Sequence, residues 1–271
     1  WRSSAPVRVG NGAWNQRQLD VYGELLDAAA TMPEFLAELA PETLSFLADA
    51  AEAAVARWQN KDQGIWEVRG EPQHYLYSKL MCWVAVDRAI TLAGVLQAGD
   101  RVPRWMLARE AIAVSIRADG WSDAAGAYTQ AYGTERLDAS ALMLAIVGFL
   151  PAADPRFLAT VEAIEQRLTD ARGLVYRYHG DDGLAGEEGA FLLCTFWLAH
   201  ALALAGLTDR ARAVFERAAG FATGLGLMAE EVAPDSRELL GNFPQAFSHI
   251  GLVNAAWAIG EAERRLRGTT P

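Results

Sequence analysis

Cysteine is scarce: two in 271 residues, Cys82 and Cys194, which gives no disulfide framework to build on. Both sit in apolar runs, LMCWVAV and FLLCTFW, and read as buried free thiols. Basic charge is short as well. The 24 Lys and Arg against 34 Asp and Glu leave a formal net charge of −10, with no basic run to meet phosphates, which argues against a nucleic-acid partner. No apolar run reaches the roughly 18–20 residues of a membrane helix. The first residues, WRSSAPVRVG, lack the charge pattern and apolar centre of a signal peptide, which leans towards a cytoplasmic protein. The sequence opens on Trp1 rather than methionine, so a start within a longer protein or after processing is expected. The four histidines, His74, His179, His200 and His249, show no metal-ligand spacing. Patterns for a serine elbow, a phosphate loop or a dinucleotide loop are missing too. No metal and no cofactor is called for, and carboxylate chemistry remains.

What the chain does have is helix after helix. Apolar residues recur at 3- and 4-residue spacing in nine windows, about 17–30, 34–58, 75–98, 103–117, 137–149, 155–169, 188–205, 208–222 and 244–266. Asp154-Pro155 and Thr208-Asp209 read as helix starts, and Gly99, Gly206 and Gly224 follow helix ends. No low-complexity linker divides the chain, so one domain over residues 1–271 is expected. Four long connections, 59–74, 118–136, 172–189 and 223–243, are rich in Gly, Trp, Tyr and acids. Long loops in a compact domain are usually functional, and alternate loops gather on one face if the helices form an α/α barrel. An open α-solenoid competes, but no fixed-period repeat supports it.

Tryptophan is abundant, nine in all. Trp14, Trp66 and Trp121 fall near turns, where an aromatic ring can stack on a sugar, whereas Trp83, Trp197 and Trp257 lie in apolar helical runs and read as core. One stretch stands out: GIWEVRG, residues 64–70, puts a lone carboxylate, Glu67, between an indole and a guanidinium in a glycine-bounded turn. Glu67 is either a solvated loop glutamate paired with Arg69 or a proton donor. A second candidate, Glu230 with Glu231 beside it, lies in the last long loop; an exposed acidic pair is the plainer alternative. Two carboxylates in different surroundings are what glycoside hydrolysis requires.

The segments GNGAWNQRQLDVYGE, GIWEVRGEPQHYLYSKLMCWVAVDRAI, LVYRYHGDDGLAGEEGAFLLCTFWL and AEEVAPDSRELLGNFPQAFSHIGLVNAA occur in this order. Together they resemble the catalytic domain of glycoside hydrolase family 15, the glucoamylase and bacterial trehalase family, from about residue 5 to residue 265. The resemblance implies an all-α (α/α)6 barrel, an α-glucoside substrate hydrolysed with inversion from its non-reducing end, and no organic cofactor. It places the general acid on Glu67 and the general base on Glu230. Trp14, Trp66 and Phe247 become apolar walls; Arg69, Arg177, Tyr178 and Glu231 become substrate-binding positions. Fungal members carry an acid where Val68 stands, so the leaving-group contacts differ here. Nine helical windows fall short of the family's twelve helices. The expectation is therefore a barrel lacking its first helices, completed by a preceding segment or by self-association. An inverting pair holds its carboxyl groups roughly 6.5–9.5 Å apart to admit water. A non-catalytic helical module that binds carbohydrate or a partner chain is the alternative.

Overall fold

The computed structural model describes residues 9–180 and 188–268; the first residues of the sequence and the acidic stretch 181–187 lie outside them. Among the described residues there are ten α-helices and five two-residue strands. They group into two compact units, one up to Arg109 and one from Glu110 onward.

The first unit is built on α1 (Val21–Ala30), α2 (Pro33–Leu36), α3 (Pro41–Arg57) and α4 (Leu76–Leu92). The window read as 34–58 is two helices rather than one. Pro33 and Pro41 each sit in a first helical turn, where a missing N–H is harmless, so the second proline opens α3 instead of continuing α2. Helix α4 is apolar on nearly every side because α1 and α3 both pack on it. At the α1–α4 crossing Gly23 has no room for a side chain: a Cβ there would lie 2.3 Å from the Met81 carbonyl oxygen. Helix α5 (Val102–Asp119) spans the boundary between the units. Its first half is tied to α3 by Arg104–Glu52 and to α4 by Arg109–Asp87, 2.5 and 2.9 Å.

The second unit contains β1 (Trp121–Ser122) and β2 (Ala127–Tyr128), α6 (Met143–Ile146), α7 (Pro155–Arg167), β3 (Ala190–Phe191), α8 (Leu192–Leu204), α9 (Thr208–Ala219), β4 (Glu231–Val232), β5 (Leu239–Leu240) and α10 (Ala246–Leu266). The window 137–149 is a 3-10 turn followed by the single turn α6, since Asp138 caps the Ser140 N–H and Gly148 ends the run at φ +80°. Asp154 caps α7 by accepting from Arg156 and Phe157 N–H, as the Asp-Pro start predicts. Helix α8 is the centre, packed on by α9 and α10. Gly251 of α10 repeats the device of Gly23, with its Cβ position 2.9 Å from Leu193 Cδ1.

One tryptophan assignment needs correction. Trp257 was expected in the core and is 70% exposed, on an outward stripe of α10 with Phe247, Ile250 and Val253. Among the described residues the fully buried tryptophan is Trp105, whose indole donates to Glu52 at 2.8 Å. Periodicity shows that a helix has an apolar face, but not whether a neighbour covers it.

Candidate active site

Glu67 belongs to the first unit and stands on a turn. Gly64 enters it at φ +69°, its α-carbon so close to Tyr75 that a Cβ would lie 2.9 Å from the ring. Glu67 itself has φ +54°, a left-handed conformation uncommon for any residue with a side chain. The turn closes through Glu67 N–H to Gly64 O and Val68 N–H to Gln63 O, 3.3 and 3.2 Å. Gln16 then donates from its side-chain amide to the carbonyls of Glu67 and Val68, 3.2 and 3.1 Å, and Gln18 to that of Gly64 at 3.4 Å. The carboxylate accepts from Asn11 Nδ2 at 2.9 Å, not from Arg69 as the plainer sequence alternative had it. Trp14, 84% exposed, sits on the turn between Asn11 and Gln16, so the chain brings that ring and Glu67 to neighbouring, mutually bonded segments. Trp66 is half-buried and Arg69 exposed.

Below this turn lies buried charge. Asp62, 1% exposed, accepts from Leu19 N–H at 3.0 Å and Ser78 Oγ at 2.7 Å through one oxygen. Lys79, buried as well, donates to the carbonyls of Trp58 and Asn60. Asp20 begins α1 but makes no side-chain cap. Burial, with the charge of Asp62 adding to it, pushes its carboxyl up to about 7. Burial also raises Asp62, against the hydrogen bond from Ser78 and the charge of Lys79.

Glu230 belongs to the second unit and is held by a ribbon. β4 is the middle strand between antiparallel β3 and β5, pairing Glu231 with Phe191 and with Leu240. Glu230 extends this ladder by one residue, its N–H bonded to Asn242 O and its carbonyl accepting from Leu192 N–H. Successive side chains on a strand point to opposite faces, and the two acids do. The Glu230 carboxylate accepts from Asn242 N–H, Asn242 Nδ2 and Gln245 Nε2 at 2.9, 3.1 and 3.3 Å. Glu231 accepts instead from Gly189 N–H at 3.2 Å; burial raises its pKa while Arg177 pulls it down. Arg177 is ion-paired with Glu188 and lies over the rings of Phe191 and Tyr178, 5.2 and 5.8 Å from their centroids. Tyr178 is buried, while Phe247 is exposed at the start of α10, two residues after Gln245. The structure thus gathers Arg177, Tyr178 and Glu231 into one cluster and puts Glu230 beside the α10 start.

The residues missed by sequence reasoning are the neutral donors and clamps: Asn11, Gln16, Asp62, Asn242 and Gln245. Amides carry no periodic signal; only the position of Asn11 within GNGAW and of Gln245 just before an apolar run could have drawn attention. Among the described residues no group of three His, Cys, Asp or Glu is placed to hold a metal ion, and no helix is long and apolar enough to cross a membrane.

Comparison with known proteins bears on these two loops. A trehalase of Mycolicibacterium smegmatis is 46% identical over 264 residues, covering 96% of this chain and 39% of that protein. A trehalase of Thermoplasma volcanium is 39% identical, covering 97% and 42%. The chain therefore spans about two fifths of the length of these relatives. Among solved structures, a wild-type glycosidase superposes with a TM-score of 0.78 at 22% identity over 93% of this chain and 70% of its own. A bacterial glucoamylase complexed with acarbose gives 0.76 at 16%, over 92% and 41%. These likenesses show the fold, the all-α class of the α/α-barrel glycosidases that the sequence resemblance implied. The sequence model of Glycosyl hydrolases family 15 matches residues 1–257, from before the Asn11 turn to within α10 and through both acid-bearing loops. The chain belongs to glycosyl hydrolase family 15.

Proposed function

We propose that this chain supplies both reacting carboxylates of an inverting α-glucoside hydrolase that releases β-glucose from the non-reducing end. Glu67 gives a proton to the glycosidic oxygen as that bond breaks, and Glu230 takes one from the water that attacks the anomeric carbon. The observation that carries the reading is the donor set around each acid. Among the described residues Glu230 accepts from three N–H donors, which fix and aim its carboxyl group, whereas the Glu67 carboxyl accepts from Asn11 alone through one oxygen. That leaves the other oxygen of Glu67 to carry and deliver a proton. Trp14, Trp66 and Phe247 serve as stacking surfaces, and Arg69, Arg177, Tyr178 and Glu231 as substrate-binding or substrate-ordering groups. Arginine suits hydroxyl recognition because its planar fork meets two acceptors at once. The trehalase names of the relatives make trehalose the first substrate to test. The reading treats residues 1–271 as one catalytic region and gives the apolar stripe of α10 to a further segment of the polypeptide or to a second copy, which size-exclusion chromatography of short and extended forms tests.

The decisive experiment assays the full-length polypeptide on trehalose, maltose, isomaltose and soluble starch, and follows the first-formed anomer by proton NMR. β-Glucose is expected. Glu67→Gln and Glu230→Gln should each lower kcat by roughly 10²–10⁴-fold. Early α-glucose would mean retention and would remove Glu230 from the role of base.

A further inference from the structure

A buried ionisable group needs a reason, and Asp62 is 1% exposed. Its bonds show what it does. One carboxylate oxygen receives the Leu19 N–H from the segment before α1 and the Ser78 hydroxyl from the first turn of α4. The Asp62 backbone pairs in both directions with Gln73, 3.0 and 2.9 Å, pinning the far end of the same loop. The Leu19 segment is the one whose Gln16 and Gln18 hold the carbonyls of Gly64, Glu67 and Val68, while the Gln63 N–H donates to Arg17 O at 3.3 Å. Both sides of the clamp on the turn thus meet at a single carboxylate five positions before the acid. A left-handed, non-glycine backbone of the kind Glu67 adopts persists only where its surroundings over-determine it.

We propose, resting on the assignment of Glu67 as general acid, that Asp62 is a positioning residue: it acts on the reaction through Glu67 by fixing the turn from which the proton is delivered. A residue needed only for folding lowers turnover of every substrate alike. A residue that aims the proton donor lowers turnover only where the leaving group needs a proton. An α-glucoside with a sugar alcohol leaving group needs one at its glycosidic oxygen; α-glucosyl fluoride, whose fluoride ion leaves with little help, does not.

The test compares kcat and KM of the full-length enzyme and of Asp62→Ala, Asp62→Asn and Glu67→Gln on trehalose and on α-glucosyl fluoride. For Asp62→Ala, kcat on trehalose should fall about 30- to 100-fold with KM within about threefold, and kcat on the fluoride should fall less than about threefold. Asp62→Asn keeps the shape and an acceptor, and should show the same selectivity with a loss of about fivefold on trehalose; it decides the matter if the alanine variant does not fold. Equal losses on the two substrates, or a change in KM alone, would overturn the positioning role. If Glu67→Gln itself fails to discriminate between the substrates, the acid assignment falls first and this inference with it. If Glu67→Gln discriminates and the Asp62 variants do not, only the inference falls.

Discussion

Glu67 stands on a left-handed turn clamped by glutamine amides above buried charge, whereas Glu230 ends a rung of backbone ladder and takes its donors from the next turn of chain. The difference extends to the helices beneath. α4 carries Lys79 and Tyr77 into the core of its unit, facing Asp62 and Glu24. α8, LLCTFWLAHALAL, carries no acid or base except His200. A ladder fixes a side chain with bonds that any sequence can make; a strained turn must be held by particular side chains, and these need a polar interior to anchor them. The Glu67 turn therefore stands on charge buried by α4, whereas α8 brings no acid beneath the Glu230 ladder.

The sharpest way to expose the contrast is pH. Burial raises the Asp20 carboxyl from 3.8 to about 7, so the folded state binds its proton more tightly than the unfolded chain. Its contribution is complete below about pH 4 and is lost as pH rises towards 7, a difference on the order of 4 kcal/mol. Burial lowers His200 from 6.5 to about 4, the opposite sense, so its contribution is complete above pH 6.5 and is lost as pH falls to 4, on the order of 3 kcal/mol. Denaturant unfolding from pH 4 to 8 should show Asp20→Asn gaining on the parent protein as pH rises, and His200→Gln gaining as pH falls. Parallel curves for either variant would refute the corresponding assignment. Glu24 and Asp62 are shifted in the same sense as Asp20, so part of the wild-type slope survives in its variant.

Next in size are the glycine crossings. Gly23→Ala forces a methyl against a backbone oxygen at 2.3 Å, while Gly251→Ala meets the movable tip of Leu193 at 2.9 Å. Overpacking costs typically 1–3 kcal/mol, and Gly23→Ala should fall at or above the top of that range and Gly251→Ala near the bottom. The midpoints of chemical denaturation measure both; equal losses would mean that α1 shifts on α4 as easily as a leucine turns. The smallest effect belongs to Cys194, fully buried in α8, its thiol pushed well up by burial. Cys194→Ala should lower stability by about 1 kcal/mol and leave turnover intact, and rapid labelling of the native thiol would contradict its burial.

Much of this was legible from residues alone. The helical windows mark nine regions that the structure fills, because 3.6-residue periodicity is written in every packed helix. GIWEVRG announced a tight turn, since glycine spacing and an isolated acid are local signals, and Gly64 does turn left-handed there. What escaped was the helix break that Pro41 sets locally, and everything set by partners distant in sequence: the three-stranded ribbon whose strands are too short to alternate, and the exposure of Trp257. The clamp from Gln16 to Glu67 joins residues 51 positions apart, and nothing local in either segment specifies it.

The left-handed backbone of Glu67 has an evolutionary corollary. An L-residue with a side chain in that conformation lies about 1–2 kcal/mol above one in the right-handed region, a handicap that glycine escapes. On the role proposed for Glu67, position 67 is thus a place where selection for thermal robustness and selection for turnover pull apart: drift towards glycine would firm the fold while removing the proposed proton donor. A lineage that no longer needed the reaction should lose this acid early, and the fossil it left would be a sturdier protein than its working ancestor.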